Sequence, residues 1–426
     1  MSCNPQEQKI LAAVDSLADD LLDFTCRLVA QESTLGREHA VLGVMETELN
    51  RLGFSPKRIP IDPDALSTHP GFAPVPWDYT DRYCLVAVQQ PATSGGRSAL
   101  FNGHLDVVSA EPRSFWDHDP FHPVVRDGWL HGRGAGDMKS GVAAMLYAVQ
   151  AVKKAGFGLT APVTIEAVVE EECSGNGALA CLAAGYDADA VLIPEPFGPT
   201  ILTSQLGVFW FKVTVSGVPR HVLSAQGGVN AIEKCFPLIE ALRRLEDELN
   251  RDERPSAFQD MAHPINLNIG VIHGGEWPST VAARAEFHAR LSFFPGTPYE
   301  NACRRVKGII EKAAARDDWL RRNPPAIEFY GFRSEGHSVS PDLPAFATLR
   351  ACHGDLSGGA APEYTATCTT DLRAFHFFGR GQATCFGPVA RNIHAVNEAV
   401  QIDSVLHTAR TYALFLSRWC GITDGA

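Results

Sequence analysis

The sequence predicts an α/β protein: a mostly parallel central sheet flanked by helices, plus an inserted ferredoxin-like α+β domain. Three observations carry this. Apolar runs near 99–106, 163–169 and 188–193 each stop abruptly in histidine or acidic residues. Strands of an open α/β sheet do this where their carboxyl ends meet a ligand crevice. The segment 208–332 reads β-α-β-β-α-β, the split ferredoxin-like order. On both sides of it, apolar strands alternate with helical patterns. The expected layout is a main domain in two pieces, 1–207 and 333–426, interrupted by a domain over 208–332.

The amino-terminal elements follow from periodicity. Ile10, Leu11, Val14, Leu17, Leu21, Leu22, Leu28 and Val29 recur at helical spacing, predicting one helix over 6–31. A second helix runs to Leu52 and stops at Gly53. The stretch 60–81, rich in Pro and Asp, reads as an irregular excursion. Strands are expected over 83–89 and 98–101. Beyond the second, Gly103 breaks the apolar run and His104 and Asp106 flank Leu105, so a strand's period of two turns both to one side. A surface histidine beside a turn aspartate would read the same.

Val124–Leu130 reads as a hairpin turning on Asp127-Gly128. Glycines at 132, 134, 136 and 141 match neither a dinucleotide fingerprint nor a phosphate loop. They suit a tight turn that projects Asp137 inward at the start of a helix through Lys154. The strand over 163–169 ends in Glu170-Glu171-Glu172, and that over 188–193 in Pro194-Glu195-Pro196. One such acidic cluster is usually a solvated turn; repetition at successive strand ends points to a site.

The inserted segment has expected strands over 208–215, 265–272, 283–294 and 325–330, with helices over 228–250 and 299–316. Then come a helix over 345–352, a helical stretch after Thr369–Arg373, a strand over 383–387, a loop with His394, and a last helix over 403–419.

Composition narrows the function. A net charge of −12, from 37 basic and 49 acidic residues, argues against a nucleic-acid binder. No basic segment followed by an apolar one marks a leader at the start, and no apolar run reaches membrane-spanning length. The eleven cysteines form no CxxC pair, so reduced thiols in the cytoplasm are expected and a cysteine-ligated zinc finger is not.

The candidate site is therefore His104, Asp106, Asp137, Glu171, Glu172, Glu195 and His394. Carboxylates gathered this closely repel and raise one another's pKa, and bound cations remove the conflict. Two histidines with several oxygen donors suit zinc, manganese or cobalt, and their number suits a two-metal site.

The motifs Gly103-His104-Leu105-Asp106, Gly132-Arg133-Gly134 with Asp137-Met138-Lys139, Glu170-Glu171-Glu172, Glu195-Pro196 and His394 with Glu398 occur together. So do Gly270 with Gly274-Gly275, and Arg290 with Pro295-Gly296. In this combination the chain resembles the acetylornithine deacetylase, succinyl-diaminopimelate desuccinylase, aminoacylase and carboxypeptidase G family of dinuclear metal hydrolases. The resemblance implies two divalent metal ions, zinc foremost, with manganese or cobalt as alternatives. It implies that His104 and Glu195 bind one, that Glu172 and His394 bind the other, and that Asp137 bridges them. By the same resemblance Asp106 orients His104, Glu171 is the general base for a water activated by both metals, and the Asp137–Met138 peptide is cis. The run Gly217–His221 resembles the family's lid motif, which implies that His221 reaches into a partner subunit as an oxyanion donor. The segment 208–332 would then be a lid that also forms a homodimer, and 1–207 with 333–426 the catalytic domain.

Some features depart from the family pattern. Ala225 replaces a frequent Pro, Glu276–Thr280 replaces an Asn-containing segment, and the 60–81 excursion is long. Arg290 and Arg373 each suit either a substrate carboxylate or a purely structural ion pair. The resulting expectation is a metal-dependent hydrolase of a C–N (amide) bond, an N-deacylase of a small N-acyl amine or N-acyl amino acid. The alternatives are a metallo-exopeptidase, an aminohydrolase or deaminase of a small amine (aromatic amines included), and a catalytically silent metal-binding homologue. Glu171 speaks against the last, since a proton carrier is not needed to bind metal.

Overall fold

The computed structural model describes residues 3–424. Among them a six-stranded sheet runs in the order Lys57–Pro60, Tyr83–Gln89, Val163–Val168, Ala99–His104, Ala190–Ile193, Gln382–Cys385. The last four strands are mutually parallel, and the first two run antiparallel at one edge. Val163–Val168 and Ala99–His104 are buried at every position, as strands covered on both faces are. Their covering includes the helices Pro5–Asp15, Ala18–Val29, Ser140–Lys154 and Ile402–Trp419, whose apolar residues share one continuous core with the sheet.

The expected single helix over 6–31 is two, Pro5–Asp15 and Ala18–Val29. Asn4 caps the first, its side chain accepting the Glu7 N–H while the Glu7 carboxylate accepts the Asn4 N–H. At the break, the Ser16 hydroxyl donates to the Ala13 carbonyl and the Leu17 N–H to Val14, which tightens the last turn. Val14, Leu17 and Leu21 are all buried across the break, so the apolar period carries no sign of it. The excursion holds one helical turn, Pro63–Leu66, and is otherwise irregular. The hairpin turns at Asp127 (φ 52°) and Gly128 (φ 79°), both in the left-handed region that such a turn requires.

The inserted segment folds as a four-stranded antiparallel sheet, ordered Leu267–Gly274, Arg284–Phe293, Gly207–Ser216, Ala326–Ser334. Its chain order and spatial order are those of a ferredoxin-like unit. Helices Ala231–Arg251 and Tyr299–Ala314 lie on one face, where Phe209, Phe211, Val213, Val215, Phe287 and Leu291 form a second core. No helix among the described residues is long and apolar enough to cross a membrane, and all eleven cysteines are unpaired.

Candidate active site

His104 ends its strand, and Glu171, Glu172 and Glu195 follow within a few residues of the ends of the two strands flanking it in the sheet. Parallel pairing brings these ends to one sheet edge, with His104 opposite Val168. Asp137 arrives from the glycine-rich turn. Gly134 has φ 78°, and a Cβ there would sit 2.6 Å from Val107 Cγ1, so the turn is closed to a side chain. One buried carboxylate, Glu398, accepts the N–H groups of Gly134, Gly136 and Asp137 and pairs with Arg133 at 2.5 Å. The Asp137–Met138 peptide is cis.

At the centre, His104 Nε2 lies 3.1 Å from Asp137 Oδ1, 3.9 Å from Glu195 Oε1 and 4.0 Å from Glu171 Oε2. His394 Nε2 lies 3.3 Å from Asp137 Oδ2 and 3.1 Å from the Glu172 carboxylate. His104, Glu171 and Glu195 each offer a ligand atom within 4.8 Å of the others, as do His104, Asp137 and Glu172. Asp106 divides its work. Its main-chain carbonyl is 2.9 Å from His104 Nδ1, whereas its carboxylate is 3.7 Å from that nitrogen. The carboxylate instead accepts the N–H groups of Glu172 (3.1 Å) and Glu171 (3.4 Å).

The glutamate turn has a second anchor. Glu170 has φ 74° and is fully buried. Its carboxylate accepts hydrogen bonds from Trp77 Nε1, the Tyr79 hydroxyl, the Ser174 hydroxyl and the Arg82 guanidinium. Asn176 ties the same region to the Ala73 main chain in both directions. The irregular excursion is therefore the wall that braces Glu171 and Glu172.

Burial governs the electrostatics. It pushes the carboxyls of Glu171 and Glu195 well above the usual range, opposed by His104 and reinforced by the neighbouring acids. Burial likewise raises Asp106 to about 7. Burial would raise Asp137 too, but hydrogen bonds from His104 and His394 hold it below its ordinary value. The Glu172 charge lifts His394 to about 11. Glu171 Oε1 is buried with no hydrogen-bond partner among the described residues. Buried acids with open lone pairs beside two imidazoles form a donor set that fits divalent cations.

A cleft of about 490 Å³ opens onto Glu171, Glu172 and His394. Its opposite wall is the helix-free face of the inserted sheet, including Trp210, His288, Arg290 and Tyr330. The Arg290 guanidinium donates to the Asn266 and Thr367 carbonyls and has no acidic partner among the described residues. Arg373 does not line this cleft. It borders a separate cavity, 3.6 Å from Asp371 Oδ1, with its guanidinium over the Phe332 ring. His221 is exposed on its loop, where Nδ1 accepts the Leu223 N–H, and it is absent from the cleft lining.

Residues 100–418 match the model of peptidase family M20/M25/M40. The chain belongs to that family. It is 27% identical over 426 residues to the N-formyl-4-amino-5-aminomethyl-2-methylpyrimidine deformylase of Bacillus subtilis, covering 95% of this chain and 94% of that protein. It is 26% identical over 413 residues to the succinyl-diaminopimelate desuccinylase of Cupriavidus pinatubonensis, covering 93% and 98%. Its fold resembles that of the di-peptidase Dug1p from Saccharomyces cerevisiae, with a TM-score of 0.80 at 15% identity over 97% of this chain and 98% of that one.

As a family M20/M25/M40 member the chain is a hydrolase acting on a C–N (amide) bond. Sequence reasoning missed several parts of this member's site. Glu398 was named there only as a motif partner of His394, and its hold on the Gly134–Asp137 turn was not foreseen. The Glu170 cradle carried no signal, since Trp77, Tyr79 and Arg82 lie about ninety residues away in an irregular segment. The aromatic residues of the inserted sheet were hidden as well, because only strand register puts them on one face.

Proposed function

We propose that this enzyme is a metal-dependent N-deacylase of a small N-acyl amine or N-acyl amino acid. The observation that supports it best is the Asp137 carboxylate, which turns one oxygen to each of two imidazoles beside Glu171, whose Oε1 has no hydrogen-bond partner among the described residues. In this reading His104 and Glu195 hold one divalent ion, Glu172 and His394 the other, and Asp137 both. Zinc suits the mixed nitrogen and oxygen donors; manganese and cobalt suit them too. When bound, the ions supply Lewis acidity: they lower the pKa of a water, polarise the scissile carbonyl and neutralise the clustered acids.

The chain's own groups do the rest. Glu171 takes the proton of the attacking water and returns it to the leaving nitrogen. Asp106 keeps the His104 ring and the glutamate turn in mutual register through its carbonyl and its carboxylate. Arg290 offers N–H donors to an acceptor on the substrate, and Arg373 supports the wall behind Phe332. The division into a catalytic body (1–207 and 333–426) and a lid (208–332) belongs to this proposal, as does a homodimer through the lid. Exposed Val271, Ile272 and Phe236 on the lid's edge strand and helix support such a contact. In the dimer His221 of each copy donates to the oxyanion in the other's site. The unpaired cysteines support a cytoplasmic setting.

The test is a screen of metal-reconstituted protein against N-formyl, N-acetyl and N-succinyl amines, dipeptides and aryl amines, read as released amine or ammonia. Release from N-acyl amines is expected. Turnover confined to dipeptides would move the assignment to an exopeptidase, and ammonia as the product to a deaminase.

A further inference from the structure

The wall of the cleft facing the glutamates is one register row of the inserted sheet. Asn268 pairs with Arg290, Arg290 with Trp210, and Trp210 with Tyr330, one residue from each of the four strands. Directly paired residues of an antiparallel sheet project from the same face. The other face is filled by the helices, so this row faces the cleft, and all four side chains line it.

Two features fix the aromatic end of the row. Between Phe209 and Trp210 the pairing with the last strand slips, leaving Gly331 and Phe332 as a bulge. Gly331 has φ 64°, and a Cβ there would come within 2.8 Å of the Trp210 ring and 2.9 Å of the Cys173 carbonyl. The Trp210 ring therefore lies against bare backbone next to the glutamate turn. Its plane is set edge-to-face by Phe332 at 5.1 Å and Tyr330 at 5.9 Å. The Tyr330 hydroxyl is itself fixed, 2.5 Å from His288 Nδ1. Next in the row is Arg290, a cation with no acidic partner among the described residues, whose guanidinium is steadied by main-chain carbonyls.

We infer that the cleft selects substrates whose amine-side group is a planar heteroaromatic ring, seated against Trp210 and Tyr330 with its acceptor atoms toward Arg290 and Asn268. This rests on the deacylase reading of the same cleft. Rigid rings already locked by their neighbours favour a flat ligand at little ordering cost. A saturated ring of equal size presents no flat face to them. The unpaired donors of Arg290 and the Asn268 amide reward ring nitrogens or ring substituents with lone pairs.

Calorimetric titration of the metal-loaded enzyme with 5-(aminomethyl)pyrimidine, benzylamine and cyclohexylmethylamine tests this. The pyrimidine is expected to bind about tenfold more tightly than the cyclohexyl amine, with benzylamine between. Trp210→Leu should abolish the preference for flat rings, and Trp210→Phe should keep most of it. Tyr330→Leu, with a thermal melt alongside, provides a second variant should Trp210→Leu fold poorly. Equal binding of the three amines, no detectable binding of any, or a preference that survives both leucine variants would overturn the inference. Hydrolysis of the N-formyl derivatives is read in parallel. Ring-selective binding without hydrolysis removes only the deacylase reading, and hydrolysis without ring preference removes only the ring.

Discussion

Asp137 faces two imidazoles at once: Oδ1 lies 3.1 Å from His104 Nε2, and Oδ2 lies 3.3 Å from His394 Nε2. A carboxylate so placed can serve two cations, whereas no other acid of the cluster lies within 4.0 Å of both histidines. Asp137→Ala is expected to lower bound metal from two equivalents to one or none and to cut activity by roughly a thousandfold or more. Elemental analysis after dialysis decides it. Two equivalents retained in that variant would remove the bridging role.

Glu171→Gln should leave metal content unchanged if, as proposed, Glu171 moves a proton and holds no metal. Turnover should fall by about 10²–10⁴-fold, the usual worth of a positioned acid–base group. A near-normal rate would end its assignment as base.

The Glu170 cradle gives the excursion a measurable role. Trp77→Phe and Tyr79→Phe each remove one donor from a buried carboxylate, and each should cost about 1.5–3 kcal/mol in denaturant unfolding. Both should lower kcat at constant metal content, since the turn carrying Glu171 and Glu172 loses a brace. If 60–81 is only a surface loop, both variants will match the parent.

Glu166 sits mid-strand with no exposure, and burial lifts its carboxyl to about 8, only partly offset by the hydrogen bond that Asn102 Nδ2 donates. Its folded pKa thus exceeds its unfolded value of about 4.3. The folded state keeps a proton that the unfolded chain releases. This contribution to stability is complete below the unfolded value and fades as pH rises to about 8, by up to ~1.4 kcal/mol per pH unit. Glu166→Gln cannot ionise, so its melting temperature should gain on the parent's between pH 5 and 8. Parallel curves would contradict the sign.

The proposed exchange of His221 between subunits predicts complementation. Glu171→Gln and His221→Ala proteins, each inactive, should recover about a quarter of parent activity when mixed and allowed to exchange, since half the dimers are mixed and each holds one complete site. Confirmed mixing without recovery would place His221 outside the neighbouring site.

The strand ends were legible because the pattern is local: an apolar run, then His104 or an acid, repeated on strands that prove to be parallel neighbours. The hairpin at Asp127-Gly128 was legible for the same reason. The split of the first helix was not, because the buried side continues across it from Val14 to Leu17. The two functions of Asp106 were hidden by their nature, since one belongs to its main chain and the other reaches across to the glutamate turn. The aromatic row needed the register of four strands and a bulge, and no window along the sequence contains either.

The bulge at Gly331 has a mechanical side. Its N–H donates to the Pro74 carbonyl, on the same excursion that braces the glutamate turn. A swing of the inserted sheet that preserved this bond would pivot at the Ala326–Ser334 strand. The Leu267–Gly274 strand lies three strand spacings away, roughly 14 Å, and would sweep the widest arc. Tyr330 would then scarcely move while Asn268 travels farthest, so a ligand would meet the fixed ring first and be gripped from its far end last.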